Sequence, residues 1–176
     1  MAEKKIDILN LREHIPELCA GDKVLLSGTV YTARDAAHAR LFTMLDNNEK
    51  LPFPIKNAVI YYAGPTPTKP SGQIGSFGPT TSARMDRFSP RLLDLGLAAM
   101  IGKGNRDFST VDAIKRNGAV YFCAGGGFGA LISRSVKSLT EIAFPELGCE
   151  SIKKLTVKDL PVTVGTDSRG NTIFTR

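Results

Sequence analysis

A run of hydroxyl and basic residues at positions 78–86, GPTTSARMD, has the composition of an anion-binding turn. Two adjacent threonines and a serine precede Arg84, and Asp86 follows it. Hydroxyls and exposed amide groups beside a guanidinium suit a carboxylate, because the arginine fork meets it with two parallel hydrogen bonds. The alternative is a helix cap with a surface pair between Arg84 and Asp86.

A lysine between two glycines is the second candidate, in IGKGNR at positions 101–106. The stretch is not a P-loop, because Gly96 is one residue too far away and Gly104 stands where a serine or threonine is required. An apolar run precedes it, and open α/β sheets bind ligands at the carboxyl ends of their parallel strands. Lys103 is therefore a candidate anion ligand, and the alternative is a solvated lysine in a turn.

The glycines of AGGGFGA, positions 124–130, match only the loose form of the dinucleotide fingerprint. The stretch comes late in the chain, and Glu141 begins the next predicted strand, whereas the fingerprint needs an acidic residue at that strand's end. We therefore expect these glycines to let the backbone approach a ligand or another subunit closely, or to form a tight turn.

Histidine and cysteine, which often do chemistry, lack partners at useful spacing here. His14 and His38 lie on predicted helices with no acidic or cysteine residue at ligand spacing, so we expect surface or capping positions for both. The cysteines, Cys19, Cys123 and Cys149, are odd in number and widely spaced, which argues against a disulfide framework and a local zinc site. The sequence therefore predicts no metal site on this chain and about half of an active site.

Size and charge narrow the class of protein. The 176 residues are 42% hydrophobic and 23% charged, which predicts one globular domain over residues 1–176. No apolar run reaches the roughly 18 residues needed to span a bilayer, and the first residues lack a signal peptide, so we expect a cytoplasmic protein. The net charge of +6 and the absence of tryptophan favour a small anion over a nucleic acid. Five basic residues against two acidic ones between positions 84 and 106 concentrate that charge.

Alternating helices and strands must position these residues. The predicted helices cover 8–18, a segment capped by Asp35, 89–96 with Ser89 as cap, a segment that ends at Gly118 and is opened by Ser109 in a capping box with Asp112, and a short one after Gly129. The predicted strands cover 23–32, 58–63, 97–101, 119–124 and 139–144, followed by a hairpin of VTVGT and NTIFT around a turn at 167–170. Apolar strands joined by helices predict an α/β fold with a largely parallel central sheet flanked by helices.

Four stretches together carry a family resemblance: YTARDAAHAR at 31–40, LPFPIKNAVIYYAGPTP at 51–67, GPTTSARMD and IGKGNR. They resemble the β subunit, or the equivalent C-terminal domain, of the iron–sulfur hydro-lyases that comprise class I fumarase and L-tartrate dehydratase. The resemblance implies a swivelling β/β/α-type single domain. It also implies reversible addition of water to a 2-enedioate, fumarate to malate for instance, with the tartrate reaction as the alternative.

The same resemblance implies roles for individual residues. Arg34, Thr80, Arg84 and Lys103 would face a dicarboxylate substrate, Thr80 and Lys103 as catalytic residues and Arg34, Arg84 and Lys103 as substrate ligands. A four-iron four-sulfur cluster is implied on a partner α subunit and not on this chain, in a hetero-oligomer. The alternative of another class is a free-standing module that binds an anion or nucleic acid through its positive charge.

Overall fold

The computed structural model describes residues 3–125 and 129–175, and its seven strands form one sheet. The strands are β1 (Lys4–Asp7), β2 (Lys23–Thr32), β3 (Val59–Tyr61), β4 (Ala99–Gly102), β5 (Val120–Cys123), β6 (Val136–Ala143) and β7 (Ile152–Thr166). The order across the sheet is β1-β2-β3-β4-β5-β7-β6. Strands β1 to β5 pair in parallel, which confirms the predicted α/β class with a largely parallel sheet.

The last strand closes the sheet on itself. β7 is antiparallel to β5 on one side and to β2 on the other, so β2, β3, β4, β5 and β7 form a closed, barrel-like ring. β6 adds to β7 as an antiparallel edge strand. The predicted closing hairpin is confirmed at its turn, where the Gly170 amide donates to the Asp167 carbonyl at 3.0 Å and Thr166 forms an antiparallel bridge with Thr172. Its two predicted strands are not, because VTVGT is the end of the 15-residue strand β7 and NTIFT is not a strand.

In the two described ranges, five α-helices connect and cover the strands. They are α1 (Leu11–His14, flanked by 3₁₀ turns), α2 (Asp35–Asp46), α3 (Ser89–Asp94), α4 (Phe108–Asn117) and α5 (Gly129–Ser135). Glycine ends α4 as predicted, since Gly118 adopts the left-handed conformation that releases the chain from a helix. The glycine-rich stretch 124–130 includes residues 126–128, which lie outside the described residues, so its predicted role remains a prediction.

The three predicted helix caps are wrong. Asp35 is the first residue of α2, Arg34 at the cap position makes no side-chain capping hydrogen bond, and the Ala36 amide donates to the Glu150 carboxylate at 3.4 Å. Ser89 is likewise the first residue of α3, and its hydroxyl donates to the Met85 carbonyl. At α4 the cap is Asp107, whose carboxylate accepts from the Thr110 amide at 2.8 Å, and Ser109 donates to that same carboxylate.

Alternate residues of the short strands feed two separate cores. On β3 to β5, Tyr61, Ile101 and Phe122 belong to the core inside the closed sheet. Their neighbours Met100 and Tyr121 belong to the core between the sheet and helices α2 to α4. Successive side chains of a strand point to opposite faces, so strands buried on both faces read as continuous apolar runs. Within the described ranges, no helix is long and apolar enough to cross a membrane.

Candidate active site

The predicted site residues follow three neighbouring parallel strands at the edge where those strands end. Arg34 comes after β2, Thr80 and Arg84 lie on the connection after β3, and Lys103 directly follows β4. β2 pairs with β3 and β3 with β4, so the three connections leave the sheet side by side. This is the edge at which open parallel sheets bind ligands.

Backbone hydrogen bonds join two of these connections directly. The amide of Thr80 donates to the Tyr62 carbonyl at 2.7 Å, and the amide of Ser82 donates to the Lys103 carbonyl at 2.9 Å. Thr81 and Lys103 form an isolated parallel bridge. The structure therefore brings the GPTTSARMD and IGKGNR stretches together as one surface.

Arg34 enters this edge from the start of α2 and packs over a glycine. A methyl group on Gly64 would lie 3.2 Å from the Arg34 side chain and 2.9 Å from the Cys149 carbonyl oxygen, so the position requires glycine. The Arg34 Nε is 3.9 Å from a carboxylate oxygen of Glu150. That Nε is buried without a hydrogen-bond partner in the described part of the chain, which leaves a donor unsatisfied at the site.

Arg84 pairs with an acidic residue that the sequence did not suggest. Its Nε donates to Asp35 at 3.0 Å, and the alternative of an Arg84–Asp86 pair is wrong because Asp86 binds elsewhere. Lys103 is exposed and forms no ion pair with any residue in the two described ranges. Thr80 is half-buried, and the next residue, Thr81, forms the bridge with Lys103.

Arg106 is the largest departure from the sequence interpretation, which counted it among the basic residues of a charged surface. Its guanidinium is buried and donates to Asp86 at 2.6 Å and to Ser89 at 2.6 Å. It also stacks between the rings of Tyr62 and Tyr121, at 5.3 and 4.8 Å. Buried arginine needs such a complete set of partners, since an uncompensated buried charge is strongly destabilising.

This buried cluster fixes the two connections that carry the candidate residues. Asp86 accepts from Arg106 and from the Asp107 amide, which ties the end of the first stretch to the end of the second. The Tyr121 hydroxyl donates to Ser82 at 2.8 Å and contacts the Gly104 carbonyl at 2.9 Å. The sequence signals were an arginine directly after GKGN and an aspartate after SARM, but only the fold pairs them.

His38 is buried, and its expected surface or capping position is wrong. Its Nδ1 lies 2.8 Å from the Arg34 carbonyl oxygen, and its ring stacks on Phe88 and meets Tyr62 edge-on. Burial lowers the pKa of His38 to about 4, so the ring is neutral at physiological pH. His38 therefore helps to anchor the first turn of α2 and is not exposed at the candidate site.

The cysteines do not form a cluster site in the described part of the chain. Cys19 and Cys149 are exposed, Cys123 is partly buried on β5, and no group of three or more metal-ligating side chains occurs among the residues described. Burial raises the pKa of the Cys123 thiol, whereas an iron ligand must be a thiolate. These residues do not fit an iron–sulfur cluster held by this chain.

The chemistry available at this edge of the sheet is anion binding beside the hydroxyl of Thr80. Three cationic side chains, Arg34, Arg84 and Lys103, outnumber the two carboxylates that contact them, Asp35 and Glu150. Arginine and lysine on fixed connections suit a ligand with more than one carboxylate.

Comparison with known proteins assigns the chain to a family. A family model described as the fumarase C-terminus matches residues 1–176, and the chain belongs to that family. Fumarate hydratase 2 of Leishmania major is 39% identical over 174 residues, which cover 98% of this chain and 31% of that protein. The aerobic class I fumarate hydratase of Escherichia coli strain K12 is 42% identical over 154 residues, covering 86% and 28%.

A shorter relative is matched over most of its own length. A protein of Methanocaldococcus jannaschii, provisionally named as the β subunit of L(+)-tartrate dehydratase, is 40% identical over 169 residues, which cover 93% of this chain and 87% of that protein. The chain thus spans less than a third of the fumarate hydratases it matches and nearly all of this subunit-sized relative.

Proposed function

We propose that this chain is the β subunit of a hydro-lyase that reversibly adds water to fumarate to give malate. The observation that carries the proposal is the convergence of Arg34, Arg84 and Lys103 at one sheet edge in a member of the fumarase C-terminus family. Its match to 87% of a relative named as a β subunit supports the β-subunit role.

The proposed reaction explains why the site is cationic. Removing a proton next to a carboxylate places further negative charge on that group, so fixed cations stabilise the transition state more than the substrate. We assign this stabilising role to Lys103, and also to Arg84 and Arg34, which act as ligands of the substrate. Both Arg34 and Arg84 suit a carboxylate in geometry, because a guanidinium presents parallel donors.

We further propose that Thr80 handles the substrate proton. A threonine hydroxyl is a weak base unless nearby cations lower its pKa. The Thr80 backbone lies beside the segment that bears Lys103, and Arg84 follows four residues later, which supports a cationic environment for its hydroxyl.

The iron–sulfur cluster belongs, in this proposal, to a partner α subunit that shares the active site. When bound, the cluster supplies a Lewis acid for the hydroxyl that leaves or enters. This chain's residues bind and orient the two carboxylates and hold the proton at Thr80. The dispersed cysteines support that division of labour. A cytoplasmic location stays a prediction of the sequence.

L-tartrate dehydration is the second candidate, supported by the relative matched over 87% of its length. That substrate carries one more hydroxyl, which requires room and a hydrogen-bond partner at the site.

Co-purification from the source cell tests the proposal. We expect an iron-containing partner to accompany this chain and the complex to hydrate fumarate. Turnover of L-tartrate with no turnover of fumarate or malate would select the second candidate. A chain that purifies alone and binds oligonucleotide, with affinity that falls steeply as salt rises, would contradict both.

A further inference from the structure

Asp35 contacts a proposed substrate ligand from a rigid element. It is the first residue of the 12-residue helix α2, whose Ala37, His38 and Leu41 are buried in the core. Arg84, by contrast, stands on a short 3₁₀ turn, with 55% of its side chain exposed against 24% for Asp35. The fixed partner in this pair is therefore the carboxylate.

The contact uses only one side of the guanidinium. Asp35 Oδ1 accepts from the Arg84 Nε at 3.0 Å, and no hydrogen bond from the terminal nitrogens of Arg84 reaches another described residue. A guanidinium held at Nε keeps two parallel donors on its other edges. Those donors are the pair that a carboxylate accepts in bidentate fashion.

Fold stability does not explain the pair. More than half of the Arg84 side chain is exposed, so solvent screens its pair with Asp35 and the pair contributes little to stability. The second oxygen of Asp35, Oδ2, is buried with no hydrogen-bond partner in the described chain, which is an unfavourable arrangement for a carboxylate. A group held at such a cost in stability is typical of functional sites.

We propose that Asp35 is a positioning residue, which fixes the Nε side of Arg84 so that the terminal nitrogens face a substrate carboxylate. This inference rests on the proposed function for the identity of the substrate. Pre-orientation matters because the freedom of a long side chain is otherwise lost when the ligand binds. The opposite possibility is that Asp35 competes with the substrate for Arg84.

The matched control lies on the same helix. Asp46, at the other end of α2, accepts from Arg91 at 2.6 Å, and both side chains are exposed. Asp46→Asn therefore removes an arginine–aspartate pair from the same helix without touching a proposed site residue.

The first measurement reads the contact itself. In the full chain labelled with ¹⁵N, the side-chain Nε–H resonance of Arg84, assigned by its loss in Arg84→Lys, should exchange slowly with water. Asp35→Asn should make it exchange fast, and Asp46→Asn should leave it unchanged. The chain should also be titrated with succinate, a dicarboxylate that has no double bond to hydrate. Asp35→Asn should need a higher succinate concentration for half-saturation than the wild-type chain, and Asp46→Asn should need the same concentration as the wild-type chain. An unchanged Arg84 resonance, or tighter succinate binding, would overturn the proposal.

The second measurement is a double-mutant cycle on kcat/KM in the complex with the partner subunit. Asp35→Asn should lower kcat/KM by about 10- to 100-fold, the cost of a misplaced ligand. In the Arg84→Ala background the same change should cost less than about twofold, because Asp35 acts through Arg84. Equal losses in both backgrounds, or a faster Asp35→Asn variant, would overturn positioning. An inactive wild-type complex would instead overturn the proposed function. The positioning role of Asp35 would then be decided by the Arg84 resonance and the succinate titration.

Discussion

Arg84 and Lys103 stand on exposed connections and not in the core, so their removal should separate activity from folding. In the assembled complex, we expect Arg84→Ala and Lys103→Ala each to lower kcat by roughly 100- to 1,000-fold, the usual cost of losing a donor at a developing anion. Arg91→Ala is the control, because Arg91 is also exposed but pairs with Asp46 away from the site. If Arg84→Ala or Lys103→Ala had the same kinetics as Arg91→Ala, the tested residue would be only a solvated surface charge.

Thr80 has two possible roles that kinetics separates. If its hydroxyl handles the proton, Thr80→Val should abolish turnover in both directions with little change in KM, and Thr80→Ser should keep part of the turnover. A hydrogen-bonding role raises KM and keeps kcat. Exchange of the C3 proton of malate with deuterated water, measured alongside, reports proton removal by itself. If Thr80→Val exchanged the C3 proton at the wild-type rate, Thr80 would not be the base, and the base would lie on the partner subunit.

Helix α2 contains the buried His38, and the protonation of this side chain makes the free energy of unfolding depend on pH. The pKa of His38 is about 4 when folded, because burial disfavours the charged ring, against about 6.5 when unfolded. The unfolded chain therefore takes up this proton first as pH falls, and the free energy of unfolding decreases between about pH 6.5 and pH 4.

The size of this effect is measurable by denaturation. The His38 contribution lost by pH 4 is about 3 kcal/mol, from the 2.5-unit difference in pKa. We expect His38→Gln to be less stable at pH 7 but to lose less stability between pH 7 and pH 5 than the wild-type chain. Parallel pH dependences for the two chains would show that His38 is not the titrating group.

Arg12, on α1, connects the ends of two helices. Its guanidinium donates to the carbonyls of Gly96 at 2.7 Å and Leu97 at 3.1 Å after α3, and to those of Asn117 and Gly118 at the end of α4, both at 3.0 Å. A cation at helix carboxyl ends satisfies free carbonyls and opposes the helix dipole.

Replacing that cation should loosen both helices. We expect Arg12→Met to lower the free energy of unfolding by about 2–3 kcal/mol, since hydrogen bonds from a charged donor are lost while the aliphatic stem remains. Arg116→Met, which removes an exposed arginine paired with Asp94, should change the free energy of unfolding far less, because solvent screens an exposed ion pair. Equal losses in urea denaturation of the two variants would show that Arg12 is only another surface charge.

The elements that the sequence predicted well are those specified by neighbouring residues. The strand over 23–32 agrees with β2 to the residue, and the apolar run AVYFCA contains β5, because branched and aromatic residues in unbroken runs mark buried strands. The starts of α2, α3 and α4 were one or two residues off, since serine and aspartate on either side of a first turn give similar signals. The helix predicted over 8–18 is α-helical only at Leu11–His14, between two 3₁₀ turns.

The features that were missed depend on contacts distant in sequence. β7 closes the sheet by pairing with β2 more than a hundred residues earlier, and between Lys154 and Lys158 it alternates polar and apolar residues like many solvated edge strands. Arg106 is buried only because Asp86 and two tyrosines from neighbouring strands surround it. Arg84 and Lys103 could be chosen from local composition, whereas the Asp35 contact became visible only in the folded chain.

At the scale of the whole molecule, we propose that this chain forms one half of a shared site, with the cationic edge on this chain and the cluster on its partner. The most direct test is anaerobic reconstitution with ferrous iron and sulfide, followed by absorbance at about 400 nm, where iron–sulfur clusters absorb. We predict that the chain alone stays colourless and does not hydrate fumarate, and that the complex with the partner takes up a cluster and does. A stable, stoichiometric cluster on this chain alone would contradict the account.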